Sequence, residues 1–296
     1  MAVGSRRQAL GQHFLRDPGI ARAIVDLIAP TESDLVLEIG PGEGALTGEL
    51  ARRAGRVIAL EVDPVLVARL RPRFSGVEIV EADARGWDYG TLAAPPGGRV
   101  LVVGNLPYSV GKPILAALVA ARTAIDAMAL MLQREVAERV AAGPGSRVYG
   151  SLSVLTQLYC DVTVALRVPA GAFRPPPKVE SAVVRLDVLP WPRVAVIDER
   201  RFHVIVRAAF AQRRKMLANA LAAGLGRRIE DLRAAIQSAG IDPSRRAETL
   251  TIAEFAALTH VLAELVDRLT SGSSADSAER RSEAPLFEDP GQPTLT

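Results

Sequence analysis

The chain has 296 residues, 49% hydrophobic and 23% charged, which excludes a disordered or fibrous protein and leaves room for one large core and a smaller one. A single cysteine, Cys160, with no CxxC or Cys/His cluster around it, excludes a disulfide framework and structural zinc, and three scattered histidines (His13, His203, His260) argue against zinc or non-haem iron. The formal net charge is +3, but residues 271–296 carry −3, so the remaining body stands at +6 and permits an anionic partner such as nucleic acid.

No charge-free apolar run approaches the roughly 18 residues of a membrane span. Met1–Leu10 is short and basic without a hydrophobic region, so no secretory signal is expected and a cytoplasmic protein is. Strands are predicted at Leu35–Ile39, Val57–Glu61, Val77–Val80, Val100–Val103 and Ala127–Leu132, alternating with helices at Leu46–Ala54, Pro64–Phe74 and Pro113–Arg122. That alternation implies parallel strands with helices on both faces, a doubly wound α/β sheet. Gln133–Ala142 reads as the next helix and Gly143–Ser146 as a loop. Leu152–Cys160, Val162–Val168 and Val179–Val188 are β-branched and read as strands, with the stiff Phe173–Lys178 segment, FRPPPK, between the last two.

Pro190-Trp191-Pro192 breaks the chain, and the text turns Ala/Leu/Arg-rich. Helical spacing in Arg201–Ala211, Arg213–Ala223, Ile229–Ala239 and Ile252–Leu269 predicts a small all-α domain over 191–269, after a first domain over 1–190. Residues 270–296 are Ser/Glu/Pro-rich and expected to be disordered.

The first chemical signal is VLEIGPGEGALTGEL, Val36–Leu50. Glycines at 40, 42 and 44 between a strand and a helix allow a tight turn and close approach of a ligand to free N–H groups. Glu61, at the end of the second strand, suits a ribose diol, and the pattern serves either NAD or S-adenosylmethionine. Glu38 tilts it toward the latter, because E-x-G-x-G-x-G resembles the first motif of Rossmann-like methyltransferases. Asp83, in VEADA at the third strand's end, is placed to accept from an adenine amine. Asn105-Leu106-Pro107-Tyr108 ends the fourth strand on the same rim. The Asn105 side-chain oxygen and the Leu106 carbonyl offer two acceptors for an exocyclic amine, Pro107 stiffens the turn and Tyr108 offers a face for an unstacked base. These four residues resemble the [DNS]-x-P-[YF] motif of amino methyltransferases.

With LGQHFLRD (Leu10–Asp17), YGSLSVLTQ (Tyr149–Gln157), FRPPPKVESAVVRL (Phe173–Leu186), AFAQRRKMLANAL (Ala209–Leu221) and RRAETLTIAEFAAL (Arg245–Leu258), the chain resembles the KsgA family of small-subunit ribosomal RNA adenine N6,N6-dimethyltransferases over about residues 6–266. The resemblance implies a Rossmann-like S-adenosylmethionine-dependent methyltransferase domain carrying a helical RNA-binding domain, with S-adenosylhomocysteine as product. It implies that His13 and Leu15 contact the cofactor at the N-terminal edge, His13 standing where many relatives have Asn. Gly40 and Gly42 would meet the cofactor's amino-acid part, Glu61 the ribose, Asp83 the adenine, and Asn105 both cofactor and target amine. Phe173 would stack on the target adenine opposite Tyr108. Lys112, Lys178, Arg213, Arg214 and Lys215 are the candidate RNA phosphate contacts. The implied partner is small-subunit RNA in a pre-ribosomal particle, met by a monomer with no membrane association and no metal. Three alternatives stay open: an Erm-type large-subunit enzyme sharing the catalytic motifs, an NAD-dependent oxidoreductase using the glycine loop, and an assembly factor using the same surface without catalysis.

Overall fold

A computed structural model of the chain describes residues 13–263; the basic Met1–Leu10 stretch and the 270–296 segment lie outside them. The described residues divide into two units, one formed by 13–141 together with 160–189, the other by 142–159 together with 190–263.

The first unit is built on a seven-stranded sheet. Its strands are β2 (Leu35–Ile39), β3 (Arg56–Glu61), β4 (Glu78–Glu81), β5 (Val100–Asn105), β6 (Ala127–Gln133), β7 (Cys160–Val168) and β9 (Ser181–Val188), in the order β4-β3-β2-β5-β6-β9-β7. The run from β4 to β6 is parallel, and β9 pairs antiparallel with both β6 and β7. β2 is buried along its whole length, and β5 and β6 along all but their last residue, which is why they read as continuous apolar runs. The edge strand β7 alternates instead, Cys160 and Val168 buried at its ends and every second residue between them more open. Helices α1 (Pro18–Ile28), α2 (Thr47–Leu50), α3 (Pro64–Arg73), α4 (Gly111–Ala120) and α5 (Arg134–Val140) connect or cover these strands. The chain leaves β2 for β3 on one side and reaches β5 on the other, so the topological switch point lies at the end of β2. Among the described residues, no helix is long and apolar enough to cross a membrane.

Three elements have no counterpart in the predicted set. A short ladder joins β1 (Phe14–Leu15) to β8 (Phe173–Arg174), pairing Leu15 with Phe173. Helix α1 follows, started by Asp17, whose carboxylate accepts from the Gly19 and Ile20 amides, and by Pro18 in the first turn. Its buried face, Ala21, Ile24, Val25 and Ile28, has helical spacing that the sequence displays plainly.

The second unit holds α6 (Ser151–Gln157), α7 (Glu199–Phe210), α8 (Leu217–Leu225), α9 (Ile229–Ser238) and α10 (Ile252–Val261) around Phe202, Leu221, Leu232 and Phe255. Helix α10 is opened by a capping box between Thr251 and Glu254. Two expectations are corrected here. Leu152–Cys160 is no strand: α6 takes most of it, because Leu152, Ser153, Val154, Leu155 and Thr156 are all buried and a short apolar run has no legible period. Nor does a helix start at Arg213; residues 211–216 form a turn held by Arg213, which donates to the carbonyls of Arg147 and Tyr149 at 2.8 and 2.9 Å.

At the amino ends of β2 and β5, buried Asp34 accepts from the Arg99 amide and guanidinium and from the Thr31 amide and hydroxyl. Burial opposes its charge, but these hydrogen bonds outweigh burial and hold the carboxyl well below the ordinary range. Asp34→Asn, which turns an acceptor into a donor facing donors, is expected to cost about 2 kcal/mol of stability, measured as a lower urea midpoint with an unchanged slope.

Candidate active site

The glycine loop begins where β2 ends. Gly40 and Gly42 have φ of 69° and 58°, the left-handed region where a side chain is strained, and a Cβ on Gly42 would meet Phe14 Cδ1 at 2.8 Å. The Gly40 amide donates to the Leu60 carbonyl at 2.9 Å. Glu61, closing β3, accepts from the Gly42 amide at 3.1 Å through Oε2 and from the Asp63 amide at 3.0 Å through Oε1. One buried carboxylate thus ties the glycine loop to the turn that starts α3, and burial pushes that carboxyl up against the backbone amides of Asp63, Gly42 and Val62 that favour its charge.

These turns enclose a cavity of about 490 Å3. The structure brings His13, Leu15, Gly40, Gly42, Glu61 and Asp83 into its wall, together with Asn105-Leu106-Pro107-Tyr108 from the end of β5. Four acidic side chains line it (Glu38, Glu43, Glu61 and Asp83) against one guanidinium, Arg85. An acceptor-rich wall of this kind fits a ligand bearing a sulfonium, an ammonium and a ribose diol. Asp83 is held in a two-pronged pair by Arg85, which also keeps its carboxyl below the ordinary range. The Asn105 amide donates through Nδ2 to the His13 carbonyl at 2.9 Å, so its Oδ1 remains the open acceptor. Tyr108 places its hydroxyl 2.7 Å from Ser181 Oγ and its ring 5.7 Å from the His13 ring.

Other predicted residues fall elsewhere. Phe173 is buried within the core, paired with Leu15 in the short ladder, and does not line the cavity; an apolar ring at that strand position gains more from the core than from a polar rim. Lys112 lies by a small space under Leu106 and Tyr108, and Lys178 is exposed outside both. Arg213, Arg214 and Lys215 are all exposed, but Arg213 donates to carbonyls of its own unit. The sequence pattern passes over Arg85, two residues from Asp83. It also passes over Thr47, whose hydroxyl donates to Glu38 at 2.7 Å, and over Ser181; no local pattern reveals either pairing.

Glu38 is 1% exposed. Burial, opposed by the Thr47 hydroxyl and reinforced by the Glu61 charge, pushes its carboxyl up to about 8 from an ordinary 4.5. The folded chain then keeps a proton that the unfolded chain releases, so this contribution to stability is complete below pH 4.5 and is lost as the pH rises toward 8. Urea unfolding across that range should show the parent losing stability with rising pH, and Glu38→Gln, which cannot titrate, losing less.

A family model described as "Ribosomal RNA adenine dimethylase" matches residues 3–264. A Geobacter metallireducens protein named "Ribosomal RNA small subunit methyltransferase A" is 46% identical over 264 residues, covering 88% of this chain and 96% of the relative. A Geobacillus thermodenitrificans protein of the same name is 44% identical over 271 residues, covering 88% and 92%. Among solved structures, a dimethyladenosine transferase from Plasmodium falciparum superposes with a TM-score of 0.70 at 25% identity, covering 86% of this chain and 98% of that one. The 23S rRNA methyltransferase ErmE does so with 0.64 at 27%, covering 84% and 99%. The fold is the expected Rossmann-like methyltransferase fold, and the chain belongs to the ribosomal RNA adenine dimethylase family, whose enzymes take S-adenosylmethionine as methyl donor.

Proposed function

We propose that this chain dimethylates N6 of two adjacent adenosines near the 3′ end of small-subunit ribosomal RNA, acting in the cytoplasm as a monomer on a pre-ribosomal particle. The curated relatives supply the substrate class. The observation that carries the chemistry is the Asn105 amide, fixed by the His13 carbonyl with its oxygen left open in an acidic cavity at the switch point.

An exocyclic adenine amine is a weak nucleophile because its lone pair is delocalised into the ring. Asn105 Oδ1 and the Leu106 carbonyl accept its hydrogens, favour a pyramidal nitrogen and stabilise the positive charge that grows there during attack. The cationic nitrogen formed by the transfer is strongly acidic and releases its proton to water, so no general base of unusual pKa is required. Bound S-adenosylmethionine supplies a sulfonium methyl for in-line displacement. Gly40 and Gly42 receive its amino-acid end, Glu61 the ribose hydroxyls and Asp83 the adenine, with His13 and Leu15 closing the edge. Tyr108 gives the flipped base a face to lie on. The helical unit is assigned to RNA, with Arg214 and Lys215, exposed in the α7–α8 turn, as phosphate contacts.

The likeness to ErmE favours a second reading, a large-subunit RNA substrate. Incubation with labelled S-adenosylmethionine and each unmethylated subunit separates the two: label is expected in adenosines of the small subunit, and label confined to the large subunit overturns the assignment. In the same assay Asn105→Ala is expected to lower kcat by about 100-fold or more, and a parental rate removes Asn105 from catalysis. Arg214→Ala with Lys215→Ala should weaken RNA binding and reduce the slope of log K against log salt by about 1 for each phosphate no longer neutralised, read from filter binding at several salt concentrations.

A further inference from the structure

We propose that Ser181 is a positioning residue for methyl transfer, pinning the Tyr108 ring as a fixed platform for the target adenine; this rests on the reading of Tyr108 as the surface on which the base lies. Tyr108 belongs to the irregular segment between β5 and α4, where a ring is free to turn about two torsions. Its hydroxyl, however, is bonded at 2.7 Å to Ser181 Oγ, 73 residues along the chain. Ser181 is wholly buried and opens β9, where its backbone is paired with Gln133 of β6 on one side and Val168 of β7 on the other. A residue whose backbone is paired to two neighbouring strands does not follow a loop, so the far end of the tyrosine is referred to the sheet.

A second restraint acts on the ring itself. The His13 ring lies 5.7 Å away, tilted by 33°, and His13 is anchored in turn by a 2.8 Å hydrogen bond between Nδ1 and the Pro175 carbonyl. Held at its tip and along its body, Tyr108 is pre-set before substrate arrives, and the ordering is not charged to the transition state. Ser181 does not line the cavity, so its effect passes through Tyr108 and not through contact with base or cofactor. Burial pushes the Tyr108 phenol up, opposed by its hydrogen bond to Ser181.

The test is a double-mutant cycle on the full chain with unmethylated ribosomal subunits. Ser181→Ala is expected to lower kcat by about 3- to 10-fold, the worth of one neutral hydrogen bond, with S-adenosylmethionine affinity by calorimetry unchanged. Tyr108→Phe should cost about as much, and Ser181→Ala added to it should cost nothing further. An equal loss from Ser181→Ala in both backgrounds overturns the proposal, as does a parental kcat for either single variant. Where Ser181→Ala fails to fold, Tyr108→Phe alone decides, because it removes the same bond and leaves Ser181 in place. A parent that labels only large-subunit RNA overturns the substrate assignment alone, and the cycle is then run on that RNA with the same expected non-additivity.

Discussion

A parallel strand with apolar side chains on both faces can satisfy its backbone only through its two neighbours, and its connection must cross over a face of the sheet to start the next strand. β2, β5 and β6 are strands of this kind, buried almost throughout. The same constraint delivers every carboxyl end in the parallel run to one rim, where the backbone must leave the ladder and its polar groups become available. Because β2 sits between β3 and β5, its exit loop and theirs diverge, and the gap between them becomes the cavity. Gly40, Glu61, Asp83 and Asn105 come together there from four separate strand ends.

The electrostatics of that rim follow from burial. Glu38 and Glu61 are out of water and close enough for the charge of one to disfavour the charge of the other, so the cavity is acceptor-rich while not being fully ionised. A cationic ligand entering such a site meets carboxylates that gain from its charge. Asp83 differs: more exposed, and paired with Arg85, it keeps its charge, so its oxygens are shared between an arginine and whatever the cavity holds. Asn105 lacks charge, and its usefulness comes from orientation. The His13 carbonyl takes the donor end, and the acceptor end is what remains for a substrate amine.

Much of this is legible in the residues. The strand ends and their functional residues can be read because period and position suffice: a buried parallel strand is an apolar run, and whatever follows it stands on the rim. Glycines 40 and 42 are legible as turn residues, and the positive φ values agree. Less legible are elements whose type depends on surroundings. The segment around Val154 has the β-branched content of a strand, yet every side is covered, and a helix satisfies its backbone without a neighbouring ladder. The turn at Arg213-Arg214-Lys215 has helix-forming residues, but the carbonyls of Arg147 and Tyr149 draw Arg213 away.

By itself, then, the sequence determined the alternation of strands and helices, the glycine loop, the acceptors at the β5 exit and the family to which they point, because each depends on neighbours a few residues apart. Only the tertiary structure decided that Phe173 lies in the core, that Glu38 meets Thr47, that Arg85 holds Asp83, and that Ser181 reaches Tyr108. Most of these join residues distant along the chain. Their partners are chosen by which strand lies beside which, and no local spacing encodes that order.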